Sequence, residues 1–492
     1  MPNGNTHAWY AAFKAKDARF DGRFFIGVSS TGIYCRPVCK AKLPKAENCT
    51  YYDSAAAAEH AGFRPCLLCR PELAPGNAPV DATLSLVHRA ARLLEENCGS
   101  GQNLDEFVQK LGCSDRHLRR AFTAEYNVSP VQYLQTCRLL LAKNLLTDTD
   151  LSVTDVAMAA GFGSLRRFND LFKKQYRLVP TALRRQAAVA KGSRTNVTLI
   201  LGYRPPYQWR QMLNFLSQRV IPNVERVSND EYARTVHFVS AEQKDVFGWV
   251  RVGHLPQKNA LAVTVDSTLL PVLPQVLSRI RHLFDLYCDP AIIYETLAVM
   301  NTIRPGLCVA GTRLPGCIEP FEMVVRAVLG QQITVKAACT LAGRLVASLG
   351  KPVTTGIEGL VYVFPSPADI VALQGPIADY FGPLGITASR AKTILELAKV
   401  FVTGRIDFRL CTQPELEMQK LMSISGIGTW TAQYIAMRAM GWPDAFPHTD
   451  SGVKKALSPL SKNGILQLAE AWRPWRSYAT INLWNFLGLQ KN

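Results

Sequence analysis

Two close pairs of cysteines near the amino terminus place the strongest constraint on how this chain folds. Cys35 and Cys39 lie in TGIYCRPVCKAK, and Cys66 and Cys69 lie in FRPCLLCR, with 26 residues between the pairs. Two close pairs of this kind suit a tetrahedral Zn²⁺ site made of four thiolates, which draws distant segments of the chain together. We therefore expect a small zinc-bound domain with these four cysteines as its metal ligands.

The spacing of the cysteines leaves the role of such a site open. A four-thiolate zinc site is ordinarily structural, because no coordination position stays free. A zinc-bound thiolate is also a nucleophile, since the metal keeps the sulfur deprotonated at neutral pH. Basic side chains that could bring a phosphate to the cluster surround it, namely Arg36, Lys40, Lys42, Arg64 and Arg70.

The charge of the chain indicates a polyanionic partner. The net charge is +18, with 27 basic against 17 acidic residues in 1–200 and 29 against 21 in the remainder. An excess spread along the chain favours DNA contacted by several domains, although simple solubility is the alternative explanation. The sequence contains no apolar segment typical of a signal peptide and none near the ~18 residues of a membrane span. We therefore expect a soluble cytoplasmic protein without membrane contact, in which clustered cysteines bind metal.

The 492 residues are enough for about three or four domains. Stretches rich in Pro, Gly and Ala at 69–83 and in small and polar residues at 186–198 are predicted linkers. The chain between them has helical periodicity, VTLILGY, ARTVHFVS and ALAVTVD are predicted strands, and helical periodicity returns from about residue 311. The sequence predicts a multidomain α+β protein with domains at 1–78, 82–187, 196–310 and 311–492.

The helical middle of the chain contains two predicted helix-turn-helix units. LDEFVQKLGCSDRHLRRAF (104–122) has Ser114 as the N-cap of its second helix, and SVTDVAMAAGFGSLRRFNDLFKKQY (152–176) has Ser164 in the same role. A plain helical bundle with basic faces is the alternative. The candidate DNA contacts on the two second helices are Arg116, Arg119, Arg120, Arg166 and Arg167.

The carboxyl-terminal region contains a Gly-x-Gly hairpin followed by an isolated aspartate. In SGIGTWTA, the turn at Gly426 and Gly428 leaves backbone amides free to hold a phosphate at a helix N-terminus. Such a hairpin alone is consistent with non-enzymatic DNA binding. Asp450, in AFPHTDSGV, is either an ordinary helix N-cap or a carboxylate that also faces a cleft.

The amino-terminal motifs TGIYCRPVCKAK and AGFRPCLLCRPE closely resemble the zinc domain of the Ada family of adaptive-response regulators. The resemblance implies that Cys35 irreversibly accepts a methyl group from a DNA methylphosphotriester, with Arg36, Lys42 and Arg64 near the DNA. Methylation would lower the net charge of the zinc–thiolate cluster from −2 to −1 and so strengthen DNA binding.

The middle region resembles the AraC-type DNA-binding domain, through GF-x-S-x4-F-x2-LFKK followed by Pro180. Together with the Ada-like domain this implies a transcriptional activator that binds double-stranded DNA and contacts RNA polymerase. We expect a monomer that is associated with the bacterial nucleoid.

From about residue 197 the chain resembles the AlkA-type alkylbase glycosylases of the helix-hairpin-helix superfamily. The motifs are YRPPYQWRQMLNFLSQR, RLPGCIEPFEMVVRAVLGQQ, the hairpin segment and AEAWRPWRSYATINLW. The resemblance implies that Asp450 is catalytic and that a flipped alkylated base enters a pocket of aromatic residues. Cationic bases such as 3-methyladenine are attracted to aromatic faces by ~0.5–2 kcal/mol. The implied pocket residues are Trp430, Tyr434, Trp484 and Phe215.

Three further expectations follow from this resemblance. Trp430 stands where strand-cleaving relatives have a Schiff-base lysine, which implies hydrolysis of the glycosidic bond without strand cleavage. Gln331 matches a family glutamine, while Gln332 stands at the position of the apolar wedge, so that either Gln332 or Ile333 fills the gap left by the flipped base. The hairpin carbonyls, those of Met422, Ile424 and Ile427, form a candidate site for a monovalent cation.

Two alternatives remain at this stage. In one, the carboxyl-terminal half is a non-catalytic damage-binding module attached to a methylation-sensing regulator. In the other, the zinc site is structural and no cysteine reacts. The main interpretation is a zinc methyl acceptor, a double helix-turn-helix and a monofunctional DNA glycosylase in one chain.

Overall fold

The computed structural model of the chain describes residues 6–75, 86–99, 111, 114–186, 196–240, 242–408 and 413–489. It has the multidomain α+β organisation that the sequence predicts. Among these described residues, none of the helices combines the length and the apolar character needed to span a membrane.

The amino-terminal domain is built on a small sheet of four strands in the order β3-β1-β2-β4. Strand β1 pairs antiparallel with β2 and β3, and β2 pairs parallel with β4. Ile26 and Val28 of β1 are buried in one cluster with Ala12 and Phe13 of the first helix, whereas Phe25 packs with Ala58 of the second. The strands and helices are β1 (Phe25–Val28), β2 (Ile33–Cys35), β3 (Cys49–Tyr52), β4 (Arg64–Pro65), Thr6–Lys14 and Ala55–His60.

In the helical middle, the second helix of each helix-turn-helix unit begins at its predicted N-cap. The Ser114 side chain accepts a hydrogen bond from the amide of His117 at 3.3 Å, and Ser164 accepts one from the amide of Arg167 at 3.1 Å, which confirms both N-caps. Residues 104–110, predicted to form the first helix of the first unit, lie outside the described residues. The described helices are Leu86–Glu96, Asp115–Tyr126, Pro130–Asp148, Val153–Ala159, Leu165–Tyr176 and Pro180–Gln186.

The next part of the chain forms an antiparallel five-stranded sheet in the order β5-β9-β8-β7-β6. The three predicted strands are confirmed as parts of this sheet. Its strands are β5 (Asn196–Gly202), β6 (Glu225–Ser228), β7 (Glu231–Val239), β8 (Asp245–Leu255) and β9 (Ala260–Asp266). Its helices are Trp209–Ser217, Leu273–Leu283, Pro290–Leu297 and Met300–Ile303.

The remainder is helical apart from one short strand pair, β10 (Lys351–Pro352) with β11 (Tyr362–Val363). One helix continues into a π-helical turn at Ala436–Met440, a geometry that is frequent at functional sites. The described helices are Pro320–Leu329, Val335–Leu349, Pro367–Val371, Ile377–Phe381, Ala388–Val402, Pro414–Met422, Thr429–Ile435, Ser451–Ala456, Lys462–Ala469 and Arg476–Leu489.

The first part of the predicted linker at 69–83 is a packed segment instead. Arg70 donates to Asp148 on the helix Pro130–Asp148 at 2.6 Å. Glu72 and Lys143 form a buried ion pair at 2.5 Å. Charged partners on the neighbouring domain hold this stretch in place, which its Pro- and Ala-rich composition did not reveal. Residues 76–83 lie outside the described part of the chain.

A buried carboxyl joins the amino-terminal domain to the helical middle. Glu59 accepts hydrogen bonds from Tyr34 at 3.0 Å, from Thr136 at 3.1 Å and from Tyr176 at 3.5 Å. Burial raises the pKa of Glu59 to about 8, against the effect of these hydrogen bonds and of the Lys143 charge. The strand that ends at the first cysteine is thereby connected to the helix Pro130–Asp148 and to the second helix-turn-helix unit.

The second helix-turn-helix unit and the carboxyl-terminal half share one contiguous apolar core. The helix Leu86–Glu96 also contacts the carboxyl-terminal half, because Glu95 accepts from the Tyr287 hydroxyl at 3.0 Å and Glu96 from the Ser278 hydroxyl at 2.8 Å. Arg23 of the amino-terminal domain pairs with Asp289. The domains therefore pack together extensively.

Candidate functional site

Strand pairing brings the two cysteine pairs together. Cys35 ends β2, and the amide of Cys66, directly after β4, donates to the carbonyl of Tyr34 at 3.0 Å. All four Sγ atoms of Cys35, Cys39, Cys66 and Cys69 lie within 4.8 Å of one another. Tetrahedral Zn–S bonds of about 2.3 Å require S–S separations of roughly 3.8 Å, so the four sulfurs fit zinc. The predicted convergence of the cysteines on one metal centre is confirmed.

The four thiols differ in their hydrogen bonds. The Arg36 amide donates to Cys69 Sγ at 3.3 Å. The neighbouring Cys39 and Cys66 thiols, together with burial, raise the pKa of the Cys35 thiol. An amide hydrogen bond draws electron density from a thiolate, so this contact weakens Cys69 as a nucleophile. Exposure does not single out Cys35, because Cys35 is 6% exposed and Cys69 is more accessible.

Two of the five basic residues around the cluster are engaged inside the protein. Arg36, predicted to contact DNA, is 8% exposed, donates to Asp21 at 2.8 Å and also donates to the Cys69 carbonyl at 3.0 Å. Arg70 is held by Asp148. Arg36 therefore braces the Cys69 segment, and its guanidinium is not presented to a phosphate. The basic side chains left at the surface are Lys40 and Lys42, which are exposed, and Arg64, which is half-buried.

The basic residues of the two second helices face outward. Arg119 also pairs with Asp115 at 2.6 Å on its own helix. The opposite faces of these helices are buried through aromatic residues such as Phe122 and Phe168. Each helix therefore offers a basic face to a partner, with Arg116, Arg119, Arg120, Arg166 and Arg167 all exposed.

The hairpin between the helices Pro414–Met422 and Thr429–Ile435 has the predicted tight turn. Gly426 has φ +90°, and a Cβ there would lie 2.2 Å from Thr393 Oγ1, so that only glycine fits. Gly428 is the exposed N-cap of the second helix. Of the carbonyls predicted to bind a cation, that of Ile424 accepts the amide of Ile427 at 3.1 Å.

The two glutamines predicted to contact DNA differ in their surroundings. Gln331 donates to the Gly426 carbonyl at 2.9 Å and to Thr431 Oγ1 at 3.0 Å, so its side chain connects this turn to the hairpin. Gln332 is exposed at the tip of the turn with φ +56°, while Ile333 is half-buried. The exposed tip position therefore belongs to Gln332.

Asp450 is both a helix cap and a cleft residue. Its Oδ1 accepts the amides of Gly452 at 2.8 Å and Val453 at 3.1 Å, as expected of an N-cap. The same Oδ1 accepts from Trp484 Nε1 at 2.9 Å, and Oδ2 accepts from Trp430 Nε1 at 3.1 Å. Two cap amides and two indoles thus fix the carboxylate in place at the wall of the cleft.

The four predicted aromatic residues line one cleft of about 1160 Å³ together with Asp450. Trp430 and Tyr434 are stacked, with ring centroids 5.4 Å apart and planes at 5°. Phe215 and Trp484 are nearly parallel at 6.3 Å and 18°. The cleft therefore presents a carboxylate beside flat apolar faces, which suits a planar ligand that carries or develops positive charge.

Sequence reasoning missed the arginines of this cleft. Arg219 follows Phe215 by four residues, in the turn directly after the helix Trp209–Ser217, and Arg438 follows Tyr434 by four, in the π-helical turn Ala436–Met440, so each arginine can reach back to the aromatic residue one turn before it. Arg219 lies 3.7 Å above the Phe215 ring, and the Arg438 guanidinium donates to the Tyr434 hydroxyl at 3.0 Å. The helical spacing from the predicted pocket residues was the signal that could have identified both.

Comparison with protein families gives four matches along the chain. Residues 8–72 match the metal binding domain of Ada, and residues 107–186 match a helix-turn-helix domain. Residues 198–319 match the AlkA N-terminal domain, and residues 325–464 match the HhH-GPD superfamily of base excision DNA repair proteins.

Individual relatives cover both the whole chain and its parts. The "Probable bifunctional transcriptional activator/DNA repair enzyme AlkA" of Mycobacterium tuberculosis is 35% identical over 491 residues, 97% of this chain and 96% of the relative. The "DNA-3-methyladenine glycosylase 2" of Escherichia coli is 34% identical over 292 residues, 59% of this chain and 98% of the relative. The "Bifunctional transcriptional activator/DNA repair enzyme Ada" of Escherichia coli is 36% identical over 148 residues, 30% of this chain and 40% of the relative.

Proposed function

Because this chain belongs to the family of bifunctional transcriptional activators and DNA repair enzymes that join an Ada-like regulator to an AlkA-like glycosylase, we propose that it carries out two repair reactions. The first is a single-use methyl transfer from DNA methylphosphotriesters to Cys35. The second is release of alkylated bases such as 3-methyladenine by hydrolysis at the cleft of Asp450.

In the first reaction, the Cys35 sulfur attacks the methyl carbon of the triester. The S–C bond forms as the methyl C–O bond breaks, and the electron pair stays on the phosphate oxygen of the resulting diester. Zinc, held by Cys35, Cys39, Cys66 and Cys69, supplies a deprotonated sulfur at neutral pH. The choice of Cys35 is supported by the match of its domain to the metal binding domain of Ada, and the Arg36 amide weakens Cys69 as a competing nucleophile.

The methyl transfer also acts as the regulatory switch. Four thiolates on Zn²⁺ carry −2, and conversion of one to a thioether leaves −1, which reduces repulsion from DNA phosphates. Lys42 and Arg64 lie beside the cluster and approach the DNA backbone. The second helices of the two helix-turn-helix units enter successive major grooves of the promoter through Arg116, Arg119, Arg120, Arg166 and Arg167. The DNA-bound monomer then recruits RNA polymerase.

In the second reaction, the damaged nucleotide leaves the duplex and its base enters the aromatic cleft. As the C1′–N bond breaks, its electron pair leaves with the base, and Asp450 stabilises the positive charge that develops on the sugar. Asp450 also orients the water whose oxygen then bonds to C1′, and it accepts the proton that this water gives up. The observation that carries this proposal is the pair of hydrogen bonds that the Trp430 and Trp484 indoles donate to the Asp450 carboxylate. Trp430 cannot form a Schiff base, so the glycosylase releases the base without cleaving the DNA strand. This corresponds to the DNA-3-methyladenine glycosylase II type, which is monofunctional in that sense.

The hairpin and the neighbouring turn hold the DNA for this reaction. Amides at Gly426 and Gly428 bind a phosphate, directly or through a monovalent cation on the hairpin carbonyls. Gln332 fills the gap left by the flipped base, a role supported by its exposure at the tip of the turn. Gln331 keeps that turn fixed to the hairpin.

The test uses duplex DNA methylated with a labelled methyl donor and incubated with zinc-loaded full-length protein. We expect label on the protein and labelled free bases in solution. Cys35→Ala should abolish label transfer while base release continues, and Asp450→Asn should do the reverse. Tight binding to damaged DNA without base release in the wild type would favour the damage-binding module over the glycosylase.

A further inference from the structure

Two cationic side chains that the proposed chemistry does not use contact the aromatic rings of the cleft. Arg219 lines the cleft from the turn that follows the helix Trp209–Ser217, and its guanidinium lies 3.7 Å from the Phe215 ring centroid and 6.0 Å from that of Trp484. Arg438 lies 4.7 Å from the centroid of Phe215. The aromatic ring that a cationic base would stack against is therefore already in contact with guanidinium groups.

Neither of these arginines is paired with a carboxylate among the residues that the structure describes. Arg219 donates to the carbonyl of Phe215 at 3.1 Å. Arg438 donates to the carbonyls of Pro315 and Gly316 and to the Tyr434 hydroxyl. These acceptors are neutral, so neither charge is compensated, that of Arg219 in the cleft lining or that of Arg438 beside the Phe215 and Tyr434 rings.

A neighbouring arginine shows the contrast. Arg326 also lines the cleft, yet it forms ion pairs with Glu225 and Glu322, both at 3.1 Å, and its charge is compensated. The excess positive charge thus comes from Arg219 and Arg438. Of these two, Arg438 is buried and fully engaged by its acceptors, whereas Arg219 is half-buried at the cleft wall.

The pKa of Tyr434 reflects the same arginine charges. Burial disfavours the phenolate, yet the three arginine charges hold the pKa of Tyr434 below the ordinary value of a tyrosine. The positive potential that favours the Tyr434 phenolate disfavours a flat cation placed against the same rings, because like charges repel at low dielectric.

Damaged bases differ in how they respond to this field. N3- and N7-alkylated purines carry a delocalised positive charge in the nucleoside, so they gain from the aromatic faces and lose against Arg219. A deaminated purine such as hypoxanthine is neutral and has a carbonyl oxygen that accepts hydrogen bonds from a guanidinium.

We propose that Arg219 sets the lesion preference of the cleft, by opposing cationic alkylated bases and by hydrogen-bonding neutral bases that carry a carbonyl oxygen. This role rests on the proposed base-releasing activity. Arg219 acts on the choice between substrates, whereas Asp450 acts on the bond-breaking step that all substrates share.

The experiment measures single-turnover release of 3-methyladenine and of hypoxanthine by full-length zinc-loaded protein. Arg219→Met should raise the rate ratio of 3-methyladenine to hypoxanthine at least about tenfold, which corresponds to ~1.4 kcal/mol of discrimination. Arg219→Lys keeps the charge, so its ratio should stay nearer to that of the wild type, with the loss confined to hypoxanthine because the planar fork is gone. Arg210→Met is the matched control, since Arg210 lies on the same helix and is exposed outside the cleft.

The outcomes separate this role from the proposed function. No base release by the wild type refutes the glycosylase itself. If the wild type releases 3-methyladenine but no hypoxanthine, or if Arg219→Met changes both rates by the same factor, the assignment of Arg219 is overturned. Equal shifts for Arg219→Met and Arg210→Met overturn it as well, because they would reflect the overall charge of the protein.

Discussion

Replacement of Asp450 by asparagine separates the capping role of this residue from its chemical role. The asparagine Oδ1 can still accept the amides of Gly452 and Val453 and the indole of Trp484, which lie at 2.8, 3.1 and 2.9 Å from Asp450 Oδ1. Its NH₂ group then occupies the position of Oδ2, opposite Trp430 Nε1 at 3.1 Å. Two hydrogen-bond donors therefore face each other in the variant.

The magnitudes of the two effects follow from this geometry. The retained cap keeps the helix start intact, while one unpaired donor in a partly buried site costs about 1–2 kcal/mol of the free energy of unfolding. The loss of the carboxylate charge removes the stabilisation of an oxocarbenium-like sugar. We expect release of 3-methyladenine to fall at least ~100-fold, the scale of losing a major electrostatic stabiliser.

A double variant distinguishes the two contributions. Trp430→Phe removes the indole donor and keeps an aromatic face, so Asp450→Asn/Trp430→Phe should recover stability relative to Asp450→Asn. Its release rate should stay at least ~100-fold below that of Trp430→Phe alone. The measurements are single-turnover base release and chemical denaturation. Recovery of the rate together with stability would refute the chemical role of Asp450, and so would a folded Asp450→Asn protein with the wild-type rate.

Further predictions concern the zinc domain and its contacts. Fresh reduced protein should contain one zinc per chain by elemental analysis, and absence of stoichiometric zinc would contradict the metal site. Methylation at Cys35 should raise DNA affinity most at low salt, because the interaction is screened as ionic strength increases; equal affinities of both forms in fluorescence titrations across a salt series would exclude the electrostatic switch. Glu72→Gln leaves the buried Lys143 without its carboxylate and should cost about 3–5 kcal/mol in chemical denaturation, with recovery in Glu72→Gln/Lys143→Met. The pKa of Glu59 is raised to about 8 in the folded protein, above the unfolded value of about 4.3. The stabilisation from the protonated carboxyl is therefore complete below about 4.3 and is lost as pH rises towards 8. Glu59→Gln should flatten the pH dependence of the melting temperature in that window, and an unchanged profile would contradict this assignment.

The sequence predicts those features that depend on local pattern or on metal geometry. Ser114 and Ser164 cap their helices because a hydroxyl directly before an amphipathic segment satisfies free amides. The four cysteines converge because two close pairs of thiols can together supply the four ligands of one tetrahedral zinc ion. For Asp450 the sequence is consistent with two roles, a helix cap and a cleft carboxylate, and the structure shows the contacts of both roles on one side chain.

The sequence does not predict features that depend on how the domains pack. Arg70 and Asp148 are separated by 78 residues, and their ion pair turns a predicted linker into a packed segment. Gln331, a predicted DNA contact, donates to the carbonyl of Gly426, 95 residues away, and so connects two turns of the protein. The sequence does not identify Arg219 as a cleft residue, because a basic residue at the end of an amphipathic helix ordinarily faces solvent. Here the turn that carries Arg219 borders a cleft.

The internal use of arginines also bears on the proposed methylation switch. Of the five basic residues near the zinc cluster, Arg36 and Arg70 are neutralised by Asp21 and Asp148. The surface that meets DNA near the cluster then depends on Lys40 and Lys42, which are exposed, and on the half-buried Arg64. A change of one charge unit at the cluster is large relative to three cations, whereas it would be smaller relative to five. In the proposed switch, the ion pairs that hold the zinc domain in place would therefore also make its DNA affinity more sensitive to methylation of a single thiol.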